Sequence, residues 1–175
     1  MNSSWRFSSL PAAAMLVAGC AGVLPLEPPT VSPALQPPPT QVLYLEARAD
    51  GVQIYECARK PDATYEWAFK APEATLSDRS GRPLGKHYAG PTWEAMDGST
   101  VVGETKAREA GPTTAAIPWL LLAAKSHSNR GTFADANYVQ RVATQGGIAP
   151  TQGCSESTLR QQARVPYSAV YYFYR

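Results

Sequence analysis

The chain has 175 residues, enough for one domain with a substantial core and little left for a second. Hydrophobic residues make up 44% of it and charged residues 17%, a globular composition rather than a disordered one. Sixteen basic against fourteen acidic residues leave a net charge of +2 with no run of like sign, which excludes the basic footprint of a nucleic-acid partner.

The N-terminus reads as an address. One positive charge (Arg6) precedes an apolar stretch from Leu10 to Ala18. That stretch is too short to span a bilayer, which takes about twenty apolar residues, but it suits the core of a signal peptide. It ends in Val17-Ala18-Gly19-Cys20, which resembles the bacterial lipobox, where small residues precede a cysteine that is acylated and becomes the new N-terminus. Residues 1–19 are therefore expected to be a signal peptide. Cys20 is expected to be a lipid anchor that places the protein in the cell envelope, facing the periplasm or the exterior. Ala21 follows the cysteine where lipoproteins retained in the inner membrane often carry Asp, so by that resemblance the outer membrane is favoured. The lipid bilayer, reached through Cys20, is the one partner that this region names.

Residues 20–40 read as a linker. Seven prolines between Pro25 and Thr40 exclude a regular helix and point to a semi-rigid spacer holding the domain roughly 40 Å off the membrane, at about 3 Å per residue.

From Gln41 onward, turn signals recur at strand spacing, and residues 41–175 are predicted to form one all-β domain, a sandwich or a barrel. Val42–Ala49, Asp50-Gly51 and Val52–Ala58 read as a hairpin with a type I′ turn. Tyr65, Trp67 and Phe69 alternate with polar or small residues and read as the core face of a strand, with Phe173 a further core aromatic. Thr92–Met96, Asp97-Gly98 and Ser99–Thr105 read as a second hairpin of the same kind. Ile117–Ala124 is either a short helix with Pro118 in its first turn or a buried strand. Its length and the turn-like Ser126–Gly131 after it favour the strand. Asn137–Thr144 and the aromatic Val165–Arg175 complete the set, the latter as a strand buried on two sides.

With Cys20 acylated, Cys57 and Cys154 remain, and a pair of thiols in an oxidising compartment is expected to form a disulfide. The densest polar segment is Gly85–Gly98. It offers His87, Glu94 and Asp97 as candidates for acid–base catalysis, or for a site shared with a metal, although their spacing matches no metal-binding motif. Asp97 is also explained by its Asp-Gly turn, and His87 by an ordinary structural hydrogen bond. Tyr88 and Trp93, beside glycines and a proline, are expected to be exposed and to stack on a ligand. Arg141 is a candidate for gripping a carboxylate or phosphate. No nucleophile elbow, P-loop or dinucleotide fingerprint is present, and no cofactor is expected.

Five segments, Gly51–Cys57, Gly85–Glu94, Ala116–Leu122, Tyr138–Gly147 and Ala169–Tyr174, together resemble a family of uncharacterised domains in bacterial envelope proteins and secreted fungal proteins. The resemblance runs from about Gln41 to the C-terminus and implies export and a single domain. It supplies no catalytic residues. Some fungal relatives bear a malate dehydrogenase label, which a chain without a βαβ pattern does not support. The expectation is thus an envelope lipoprotein whose domain binds a small ligand or an envelope partner. A hydrolase using His87, Glu94 and Asp97, or a purely structural protein, are the alternatives.

Overall fold

The computed structural model of the chain describes residues 25–175. The predicted signal peptide and Cys20 lie outside the described residues.

Eight antiparallel strands close into a barrel in simple chain order, β1 (Leu43–Arg59), β2 (Tyr65–Ser77), β3 (Pro83–Tyr88), β4 (Thr92–Ala95), β5 (Thr100–Glu109), β6 (Trp119–Ser128), β7 (Tyr138–Gly146) and β8 (Gln162–Tyr174). Each strand pairs with both of its neighbours, although β2 before Ala74 and β5 after Val102 run beyond the short β3 and β4. The all-β expectation holds, as a barrel rather than a sandwich. Ile117–Ala124 contributes a strand, because Leu120 and Leu122 alternate inward while their backbone pairs with β5 and β7.

The first predicted hairpin does not exist. Asp50-Gly51 lies inside β1, a single strand of 17 residues, and Gly51 pairs with Ala74 on one side and Tyr167 on the other. The glycine serves close approach instead of a turn: a Cβ there would lie 2.1 Å from the Glu73 carbonyl oxygen of β2. The second hairpin forms, with a three-residue loop in place of the type I′ turn. Gly98 N–H donates to the Ala95 carbonyl (3.0 Å), Ala95 N–H to the Ser99 carbonyl (2.9 Å), and Gly98 takes a φ of +80°.

Small and large side chains share the barrel interior, as a narrow barrel requires. Ala47, Ala49 and Ala74 sit on β1 and β2, while Trp93, Tyr171 and Phe173 fill the centre. One end is closed by the loop between β6 and β7. Its Phe133 and Ala136 are fully buried, and Phe133 packs on Phe173 at 4.7 Å between ring centres. The opposite end is open. The outward positions of the long strands carry charges such as Glu46, Arg48, Glu73 and Glu104, several of them paired across the surface. A transmembrane barrel carries an apolar band there instead.

The Cys57–Cys154 disulfide forms, joining the end of β1 to the loop before β8 across a separation of 97 residues. The proline-rich stretch departs from the expected spacer. Pro33–Leu35 forms a short 3₁₀ turn on the outer wall, Leu35 is fully buried, and the Gln140 amide donates to the Leu35 carbonyl at 2.6 Å. Ser32 bonds Glu109, and Arg79 donates to the Pro25 carbonyl. A buried leucine and a set of donors on the wall outweigh the solvated polyproline state, which offers the backbone only water.

Candidate functional site

Strand alternation decides where each candidate from Gly85–Gly98 goes. His87 pairs with Trp93 and both point into the barrel, whereas Lys86 pairs with Glu94 and both point out. His87 is 2% exposed, stacked on the Trp93 ring at 4.5 Å, and its Nδ1 lies 2.8 Å from the Thr92 carbonyl oxygen. A carbonyl only accepts, so Nδ1 carries the proton and Nε2 is left as the acceptor. Glu94 accepts from Tyr88 Oη (2.8 Å) and pairs with Lys86 (3.1 Å) on the outer wall. Asp97 sits at the closed end. It accepts from the Ser99 amide and hydroxyl with one oxygen and from the Thr132 amide and hydroxyl with the other.

These three groups do not converge. His87 is inside, Glu94 is outside, and Asp97 fastens the closing loop. Among the described residues, no group of three His, Cys, Asp or Glu side chains is placed to hold a metal ion. Trp93 is not an exposed stacking platform either. It is 1% exposed because its strand parity makes it the centre of the core, with Tyr88 half-exposed on the other face. Phe69 departs the opposite way. Expected in the core, it is 58% exposed, because β2 extends beyond its pairing with β3 and carries the ring to the open end. Trp67, on the same face, is partly exposed and donates its indole N–H to the Gln152 carbonyl.

Burial holds the His87 imidazole down at about 3 from its ordinary 6.5, with Arg141 lowering it further against the pull of the Thr92 bond. The ring is therefore neutral at physiological pH. Unfolding frees it to bind a proton, so its contribution to stability is complete above about 6.5 and is lost as the pH falls toward 3, at up to about 1.4 kcal/mol per unit. His87→Phe, which keeps a stacking ring without a titrating group, is expected to flatten that part of the acid-denaturation curve. An unchanged slope between pH 6 and pH 4, followed by chemical denaturation, would refute the assignment.

The open end holds a cavity of about 400 Å³. Its walls are partly apolar, from Tyr55, Phe69, Ile117 and Leu120, and partly polar, from Gln53, His87 and Arg141. Tyr55 donates its hydroxyl to the Gly147 carbonyl (2.6 Å) and meets Phe69 edge-on at 5.7 Å, which fixes one side of the mouth. Arg141 comes from β7, at the inward parity set by Val139. Its Nε and Nη2 both donate to the Pro118 carbonyl, at 3.1 and 2.8 Å, so the guanidinium plane is held in place. Two residues further on, β7 breaks register between Val142 and Gln145, with Ala143 at a φ of +49°. Bulges of this kind re-aim side chains beside sites.

Arg141 has no carboxylate within ion-pair distance among the described residues, and neither has Arg108 at the rim. Its charge reaches inward, where it opposes the effect of burial on the Tyr55 and Tyr171 phenols. The hydroxyls of Tyr167 and Tyr171 lie behind it. They interact electrostatically, but neither has a partner in hydrogen-bond geometry.

Of the predicted site residues, only Arg141 and His87 meet in this cavity. Gln53, Tyr55, Phe69 and Arg108 are among its unpredicted members. A signal for one of them was present: Gln53 is a polar residue at the inward parity of a strand whose other inward positions are apolar or small.

A family model described as a protein of unknown function, DUF3455, matches residues 38–175, nearly the whole of the described chain. The chain belongs to the DUF3455 family. No curated protein and no solved structure matches it. The open mouth lies wholly within the DUF3455 match, so the family's own part of the chain carries it.

Proposed function

We propose that this DUF3455 protein is an exported envelope lipoprotein whose barrel binds a small organic ligand in its open mouth, without catalysing a reaction on it. The observation that carries this reading is the cavity itself. It lies at a barrel mouth, falls in the size range of small-molecule sites, and combines an apolar wall with a few fixed polar groups. The separation of His87, Glu94 and Asp97 onto three different surfaces removes the support for acid–base chemistry among them. The lipobox-like Val17–Cys20 supports the tether, and the charged outer wall suits a domain held in water beside a membrane.

A neutral apolar dye, N-phenyl-1-naphthylamine, tests the binding reading on the mature chain carrying Cys20→Ser, exported behind a cleavable leader so that its disulfide forms. Saturable binding, weakened by Thr105→Trp placed from an exposed position into the mouth, is the expected result. A complete absence of saturable binding removes the reading. The tether is tested separately by the mass of the N-terminal peptide, which should carry acyl chains on Cys20; an unmodified cysteine there would overturn it.

A further inference from the structure

The structure assigns the mouth to one chemical class: we infer that it takes a small amphiphilic anion, with a carboxylate head on Arg141 and an apolar body along Tyr55, Phe69 and Leu120. This rests on the binding reading above and narrows it.

Charge sets the sign of the ligand. Three cations line the mouth, Lys70, Arg108 and Arg141, and no acidic side chain does. Lys70 is already committed to Glu56 on the neighbouring strand. Arg108 and Arg141 have no counter-ion among the described residues. A half-buried guanidinium without a counter-ion is costly, and an oxyanion is the group that offsets it. A cationic ligand would be repelled, and a neutral one would leave the charge unmatched.

Arg141 is also prepared for the task. Two of its nitrogens are fixed on the Pro118 carbonyl, so the fork does not have to be ordered when a ligand arrives. Gln53 gives a second, independent pointer. It is 2% exposed, it lines the cavity, and its amide nitrogen has no hydrogen-bond partner. An unmade bond of that kind costs about 1–3 kcal/mol, and a carboxylate oxygen in the cavity would supply it. His87, neutral and bonded to Thr92, adds a flat polar wall without another charge.

The rest of the mouth selects the body that the head group carries. Tyr55, Phe69, Ile117 and Leu120 offer hydrocarbon and ring surface, and the Phe69 ring, edge-on to Tyr55, stays exposed at the rim. A bare inorganic anion would leave this surface wet. A fatty or aryl carboxylate covers it.

Displacement of N-phenyl-1-naphthylamine by decanoate and by decanol separates the head group from the tail. Decanoate is expected to compete at least about tenfold more strongly than decanol. Arg141→Gln should remove that advantage, leaving decanoate and decanol to compete about equally. Arg108→Gln, at an exposed position that carries no fold, should reduce the advantage in part, which keeps the inference testable if the Arg141 variant fails to fold. Equal competition by decanoate and decanol, with the dye still binding, overturns the anion inference and leaves the binding reading standing. Loss of dye binding in the unsubstituted chain removes both.

Discussion

Replacing Cys57 and Cys154 with alanine is expected to cost the domain about 4 kcal/mol, or roughly 10–20 °C in melting temperature. The magnitude follows from the 97-residue separation that the bridge spans, since the reduced chain regains the entropy of a long loop on unfolding. The native state also loses order. The loop before β8 is held against β1 by the backbone bonds Cys57 N–H to the Gln161 carbonyl and Arg160 N–H to the Cys57 carbonyl, and against β2 by Trp67 Nε1 to the Gln152 carbonyl. These few bonds must carry the loop alone once the bridge is gone. Thermal and urea denaturation of the oxidised chain beside the double variant measures the difference. A gap below about 1 kcal/mol would show that the loop holds its place without the covalent link.

Trp93→Ala is expected to cost about 3–5 kcal/mol, the range for removing a large buried aromatic. The ring is 1% exposed, stacks on His87 and meets Tyr171 and Phe173 edge-on at 5.3 and 5.9 Å. Gly103 lies under it: a Cβ there would come within 2.9 Å of the ring, so β5 has been cut to the minimum to admit the indole. A rigid closed barrel has little freedom to collapse into the space left behind. The opposite pattern, full stability with ligand affinity lost, is what an exposed stacking residue would produce. Urea denaturation together with a dye titration on the same variant distinguishes the two. The ring supports the wall of the mouth through His87, so some loss of dye affinity is expected to accompany the loss of stability, and stability is the readout that decides.

What could be read without the structure was local. Strand periodicity in Tyr65–Phe69 and Val165–Tyr174, the Asp97-Gly98 turn and the pairing of two cysteines each depend on a few neighbouring residues or on simple counting. Asp50-Gly51 shows where local reading stops. The same dipeptide means a turn at 97–98 and a close strand contact at 50–51, and only the presence of β2 and β8 on either side makes the second meaning. The candidate site fared alike. His87, Glu94 and Asp97 are close along the chain, but alternation sends the first two to opposite faces and the turn carries the third to the closed end. Arg141 was legible as a cation able to grip an anion, whereas its fixation by Pro118 and its lack of a counter-ion depend on what the closed sheet brings beside it.

Turn chemistry, period-2 alternation and cysteine number act over short range or none, and they suffice to specify a β domain with one bridge between Cys57 and Cys154. Closure of the sheet, the choice of which ring becomes core and which becomes rim, and the seat of Leu35 on the wall arise from long-range packing. Those outcomes turn on which strand end outlasts its neighbours and which side chains face one another across the barrel, and such pairings are set jointly by all eight strands at once.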